Sequence, residues 1–384
     1  MKPRPAAPSA SAPPPPPDEV AGALRLRSWA LRALWEAPVS APPAEPARAW
    51  SLFLRADRCA LPLAGRLDAR GGWEGIAPDA AAELRRVSMI EVKRALSAQA
   101  ELRRVSAVLR QLGWNALVLK GGTYLMQGNP PVDVHDVDVL LRPEQAGPLG
   151  EALTRAGGYR TVGEDAAPGT PGRWEGAVRA AAGAVAVEVH FDVPFLGRAG
   201  DPWEGALPLG PAGLFRLSPA LHLWHVLVHG VTHHPERRGA IRDLLVLAAA
   251  RRDCAPDDLA RVHAVVRTHP HRALMAAALR MAEEAAGGSP PVDRFAAPSA
   301  LRFMLMTRGD GTRRTMVVHS VAAAACEGPA ELLREVLGGS GDDDTTLGPP
   351  GPLWSLLRIG SRVGALPSAF RWARSARALA ASAS

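Results

Sequence analysis

The stretch NPPVDVHDVDVLLRP, from Asn129 to Pro143, sets two carboxylates, Asp136 and Asp138, two residues apart inside an apolar run. Alternation of this kind predicts a half-buried strand, whose side chains point to opposite faces with period two. Asp136 and Asp138 therefore share a face. Two like charges so close repel each other, and burying either is costly unless a positive charge sits between them. A divalent cation would satisfy that requirement. The competing reading is an edge strand carrying two solvated acids.

Two flanking features favour the cation. Upstream, NALVLKGG reads as a short strand ending at Gly121 and Gly122 and opening into the helical turn TYLMQG. Backbone N–H groups exposed at a helix start form an anion site, and missing Cβ atoms let a phosphate come close. Downstream, GAVAVEVHFDV reads as another strand, offering Glu188 among Val185, Val187 and Val189. Three carboxylates converging from adjacent strands are hard oxygen ligands suited to Mg²⁺. A pair of such ions can bridge the α-phosphate of a nucleotide, one acidifying the attacking hydroxyl and the other neutralising the pyrophosphate. Asp192 is an alternative third acid. Lys120 is either a phosphate contact or a lysine whose stem packs at the strand end. His190 shares a face with Glu188, as a substrate contact or as a half-buried histidine.

A second constellation is histidine-rich. His225, His229 and His233 recur at four-residue spacing in SPALHLWHVLVHGVTHH, so they fall on one helical face. That spacing can ligate zinc, but the glutamate of a His-Glu-x-x-His hydrolase is missing. Core histidines that bond across a helix pair, toward Asp243, are the favoured reading, with substrate binding as the alternative.

The elements that must position these residues follow from the hydrophobic period. Residues 1–20 are a Pro/Ala tail expected to be disordered, and 21–113 a helical region whose last helix stops at Gly113. Residues 114–200 form an α/β core, strand–helix–strand–helix–strand, with a Gly/Pro-rich loop over 162–172. Helices return over 215–337. Residues 338–350 read as a flexible linker, and 351–384 as a basic helical tail with five arginines and no acid. The fold class is thus an α/β (α+β) core on a mixed sheet, flanked by N-terminal and C-terminal helices.

Composition narrows the function classes. At 384 residues the chain is long for one domain, and 47% hydrophobic residues are ample for large cores. Aromatics are only 5%, so Leu, Val and Ala must build those cores. The net charge of +7 favours an anionic partner only weakly. Lysine occurs only at Lys2, Lys93 and Lys120, which singles out the one beside the glycine pair. Three scattered cysteines fit neither a disulfide framework nor a thiolate metal site. No apolar span reaches the roughly 20 residues needed to cross a bilayer, and the N-terminus lacks the apolar core of a signal peptide. A cytoplasmic protein with no membrane partner is expected.

In order and context, LKGG, DVDVL and VEVH resemble the nucleotidyltransferase superfamily related to DNA polymerase β. More closely, they are similar to the uncharacterised bacterial nucleotidyltransferases that carry an LKG, an Asp-x-Asp strand, a GY and a later acid-x-His strand. The resemblance covers about residues 50–250, including ADRCALPLAGRL before the core and LVHGVTHHPERRGAIRDLLVL after it. It implies that Lys120, Gly121, Gly122 and Thr123 bind the nucleotide phosphates. Asp136, Asp138 and Glu188 would ligate Mg²⁺ or Mn²⁺ and carry catalysis, with His190, His229 and His233 near the substrate. The implied activity is transfer of a nucleoside monophosphate from an NTP such as ATP to an acceptor, with release of pyrophosphate. The acceptor class stays open among a small molecule, a protein and RNA, and the oligomeric state is open too. Alternatives are a toxin-type enzyme modifying tRNA and a non-catalytic nucleotide- or RNA-binding module. Two departures stand out: Pro130–Pro131 precede the strand, and Asp133 stands where these relatives commonly have an arginine. An acid there bears on triphosphate contact or on the choice of acceptor.

Overall fold

The computed structural model describes residues 17–128, 133–156, 159–162, 175–180, 185–193, 196, 200–233, 237–306, 313–337 and 352–383. Four helices come first: α1 (Pro17–Ala33), α2 (Ala47–Asp57), α3 (Ala60–Arg70) and the 35-residue α4 (Pro78–Leu112). Helix α1 starts inside the segment expected to be a disordered tail. Asp18 and Glu19 in its first turn complement the helix dipole, and Val20 is fully buried. Helix α4 carries proline in its first turn and stops at Gly113, as expected. That glycine takes a left-handed φ of 67° and its N–H returns to Arg110 and Leu109 carbonyls.

The core then alternates β1 (Ala116–Val118), α5 (Gly122–Gln127), β2 (Asp136–Leu140), α6 (Pro143–Arg155), β3 (Tyr159–Val162), β4 (Glu175–Ala180) and β5 (Ala186–His190). Two short strands, β6 (Leu207–Pro208) and β7 (Leu214–Arg216), extend the sheet beyond residue 200. The seven strands lie in the order β3-β4-β5-β2-β1-β7-β6. Strands β2 and β5 are parallel, as are β1 and β7, while the other pairs are antiparallel. The sheet is therefore mixed, and β2 is its central strand rather than an edge. Strands β3, β4, β6 and β7 carry little apolar alternation, which is why pattern alone leaves them out. The expected loop over 162–172 falls outside the described residues except Val162, and so does the linker at 338–350.

Helices follow to the C-terminus: α7 (Pro219–Val228), a π-helical turn (His229–His233), α8 (Ile241–Asp253), α9 (Pro256–Thr268), α10 (Arg272–Ala286), α11 (Ala296–Met306), α12 (Arg313–Glu327), α13 (Pro329–Leu337) and α14 (Pro352–Ala383). None of the described helices is long and apolar enough to cross a membrane. Among the described residues a hydrophobic cluster rich in Leu, Val and Ala runs from Val20 in α1 through the sheet to Ala376 in α14.

A buried ionic hub ties the two helical regions together. Asp57, at the end of α2, is fully buried and accepts from Arg27 (2.6 Å), Arg302 (2.8 Å) and the backbone N–H of Ile241 (3.1 Å). Arg27 also pairs with Asp293 at 2.8 Å. Two guanidiniums around one carboxylate leave neither charge bare, as a dry interior requires. Arg302 additionally donates to the carbonyls of Arg237 and Arg238, both at 3.1 Å. The hub therefore fixes the turn that leads into α8.

Candidate functional site

The register of β2 against β5 creates the site. Asp138 lies directly opposite Glu188, Asp136 opposite Ala186, and Leu140 opposite His190. Period two turns Asp136, Asp138, Glu188 and His190 to one face, while Val137, Val139, Val187 and Val189 fill the other. The polar face looks into a pocket of about 310 Å³. Its floor is the sheet and the β1–α5 turn, and its far wall is α7, the π-helical turn and the start of α8.

Asp138 is buried, only 3% exposed. Lys120 Nζ lies 2.6 Å from its Oδ1, and His190 Nε2 lies 2.9 Å from the same oxygen. Burial alone would raise the Asp138 pKa, but Lys120 and His190 outweigh it and hold the carboxyl well below the ordinary range. Burial likewise opposes charge on Lys120, yet Asp138, Asp136 and Glu188 together keep the ammonium above the ordinary lysine value. Lys120 itself takes a left-handed φ of 51°, which aims its side chain back over β2 from the strand end.

Asp138, Glu188 and His190 each offer one ligand atom, and these three atoms lie within 4.8 Å of one another. Among the described residues no other set of three such side chains comes so close. His190, expected as a substrate contact, thus stands in the ligand group. Asp136 lines the same pocket outside that group. The reason is geometric: it begins β2, about 6.6 Å further along the strand than Asp138 at the usual rise.

The glycine turn expected to cradle phosphate also has packing and backbone contacts of its own. Gly122 N–H donates to the Leu119 carbonyl at 3.2 Å. A Cβ added at Gly122 would meet Val118 Cγ1 at 2.9 Å, so its missing side chain serves packing against β1. Thr123, expected near the cofactor, is fully buried and donates its hydroxyl to the Val118 carbonyl at 3.2 Å. Lys120 and Gly121 do line the pocket.

The histidine face divides. His225 and His229 both line the pocket, their rings edge to face with centroids 6.4 Å apart. Burial, with the Lys120 charge next, pushes the His225 pKa well down and keeps its imidazole neutral. The π-helical turn that follows widens the helix by one residue, an irregularity common at functional sites. No zinc-type cluster of histidines forms among the described residues. The side chain of His233 lies outside the described residues.

Asp133, the departure in the sequence, is 1% exposed and is engaged through its Oδ2 alone. Its Oδ2 accepts from Arg58 Nε at 2.8 Å and Arg94 at 3.3 Å, and sits 2.8 Å from His135 Nε2. Burial raises its pKa, but His135 and Arg58 reverse the effect and hold it far below the usual range. An acid at this position thus brings an arginine in from the α2–α3 junction. Arg237, Arg242 and Asp243 also line the pocket, and Arg242 reaches Asp243 Oδ1 at 2.5 Å. Spacing within the sequence offered no signal for Arg58, Arg237 or Arg242, beyond the charged run PERRGAIRD.

None of the curated proteins matches the chain. A family model described as uncharacterised nucleotidyltransferase matches residues 46–287, more than half of the chain and every residue of the pocket. The chain therefore belongs to this nucleotidyltransferase family, with a candidate metal-binding group of Asp138, Glu188 and His190 inside the matched segment.

Proposed function

We propose that the protein transfers a nucleoside monophosphate from an NTP, ATP among them, to an acceptor hydroxyl and releases pyrophosphate. The observation that carries this reading is the pairing of Asp138 with Glu188 across β2 and β5, with His190 beside them in the pocket. The donor set fits a divalent cation. Two carboxylates and an imidazole converge, and the buried Asp138 already requires a positive charge, which Lys120 supplies at 2.6 Å. Oxygen ligands suit Mg²⁺, and the nitrogen makes Mn²⁺ an equally good occupant. When bound, the cation supplies charge neutralisation for the phosphates and polarises the phosphoryl oxygen.

The chain's own residues do the rest. Asp138, Glu188 and His190 hold the cation, with Asp136 as a further carboxylate at the pocket's edge. Lys120 balances Asp138 and stands ready over β2 for phosphate oxygens. Asp136, outside the close group, accepts the acceptor's proton as the new acceptor-oxygen–phosphorus bond forms. The bond from the α-phosphorus to pyrophosphate breaks, and the pair leaves with pyrophosphate. His225 and His229, on the opposite wall, orient the acceptor. Positioning and preorganised charge provide most of the rate in such transfers.

The test is incubation of the purified chain with each labelled NTP and Mg²⁺ or Mn²⁺ against cell extract, reading what becomes labelled. Asp138→Asn and Glu188→Gln should each abolish labelling. An undiminished rate in either variant sinks the assignment, and labelling of bulk tRNA would identify RNA as the acceptor.

A further inference from the structure

The glycine turn spends the Gly122 N–H and the Thr123 hydroxyl on its own backbone, so beyond Lys120 and Gly121 a polyphosphate in this pocket draws on further donors. They stand on the opposite wall. Arg237 and Arg242 line the pocket from the segment entering α8, and Arg58 stands behind them from the α2–α3 junction. The Arg58 pKa is pulled down to about 10, by burial first and then by the Arg242 charge, which places the two guanidiniums within each other's field. Packing cations together is costly, and the buried Asp133 and the half-buried Asp243 offset that cost. Asp133 holds Arg58 at 2.8 Å, and Asp243 holds Arg242 at 2.5 Å.

The segment bearing these arginines is anchored at several points. Arg302 grips the Arg237 and Arg238 carbonyls, Arg238 Nε donates to Val231 O at 2.7 Å, and Asp57 accepts from Ile241 N–H. Arg242 is only 14% exposed, and the two contacts to Asp243 Oδ1 use its Nε and one Nη2 donor of the five N–H groups a guanidinium carries. The pocket thus sets Asp136, Asp138 and Glu188 on the sheet side against Arg237 and Arg242 on the helix side.

We propose that Arg237 and Arg242 form the binding site for the β- and γ-phosphates of the nucleoside triphosphate, with Asp133, Asp243 and Arg58 as positioning residues. A polyphosphate chain matches this polarity: its α-phosphate lies toward the carboxylates and its terminal phosphates toward the guanidiniums. Guanidinium forks match phosphate oxygens in pairs, which a lysine could not do. The inference rests on the transferase reading for the identity of the ligand, but its test is separate.

Inorganic tripolyphosphate is titrated into the full chain by calorimetry, alongside Mn²⁺ binding followed by electron paramagnetic resonance. Two variants are compared: Arg237→Gln, at an exposed position, and Arg242→Gln with Asp243→Asn, which removes a cation together with the acid that neutralises it. Each should weaken tripolyphosphate binding by ~10-fold or more, the size of one lost charged hydrogen-bonding partner. Mn²⁺ affinity should stay within about twofold, because those ligands lie on β2 and β5. Wild-type affinity in both variants, or no tripolyphosphate binding by the wild type, overturns the proposal. A protein that binds tripolyphosphate through these arginines yet transfers no label refutes the transferase reading and leaves this site standing.

Discussion

Replacing Lys120 by methionine removes a cation 2.6 Å from a carboxylate that is 3% exposed. The methionine keeps most of the stem's volume, so the perturbation is chiefly one of charge. At that separation the attraction is worth about 6 kcal/mol with an effective dielectric constant of about 20. Part of this is recovered as Asp138 takes up a proton or leans on His190, and breaking a buried pair typically costs about 3–5 kcal/mol. Without divalent cations the variant should therefore unfold in urea at a clearly lower midpoint than the wild type. Mn²⁺ should restore much of the loss, because a cation on Asp138, Glu188 and His190 meets the same electrostatic need. At a hundredfold excess over its dissociation constant a ligand contributes about 2.7 kcal/mol. The assay is urea unfolding followed by circular dichroism, with and without Mn²⁺. Equal midpoints for variant and wild type in chelator, or a deficit that Mn²⁺ leaves untouched, would refute the charge-balance account of this site.

Asp57→Ala should cost about 3–5 kcal/mol, since it leaves Arg302 without a carboxylate and Ile241 N–H without its acceptor. A thermal melt within a degree of wild type would contradict the hub. Glu91→Gln tests a titration. Glu91, 2% exposed, accepts from Leu61 N–H at 2.6 Å, and burial raises its pKa from 4.5 to about 7. A folded pKa above the unfolded one means stability that is fully present below pH 4.5 and lost as pH rises through 7. The stability difference between wild type and variant should move by about 3 kcal/mol in favour of glutamine over that window, at about 1.4 kcal/mol per unit. A difference that does not change with pH in denaturant melts would show that Glu91 is not buried as described.

Much of the site was legible in the chain. The alternation around Asp136 and Asp138 required a strand with a shared acidic face, and Glu188 with His190 repeated the pattern. Those periods are local, and a strand's pleat translates them directly into direction. The glycine pair was legible as a turn, but its purpose was not. Whether a missing Cβ faces a ligand or Val118 depends on what packs beneath it. His190 was placed on the same face as Glu188, yet only the β2–β5 register, with Asp138 opposite Glu188, sets its ligand atom within 4.8 Å of theirs.

Asp133 shows the division most clearly. In the sequence it is an acid where a base was expected. In the folded protein it is the anchor that draws Arg58 from 75 residues upstream, with Arg94 and His135 alongside. Arg237 and Arg242 reach the same pocket from about a hundred residues downstream, held there by Asp57, Arg302 and Asp243. The sequence by itself determined the acidic half of the pocket, because neighbours in a strand stay neighbours in space. The basic half was decided by tertiary structure alone, because charges on separate helices meet only after the chain has closed around its core.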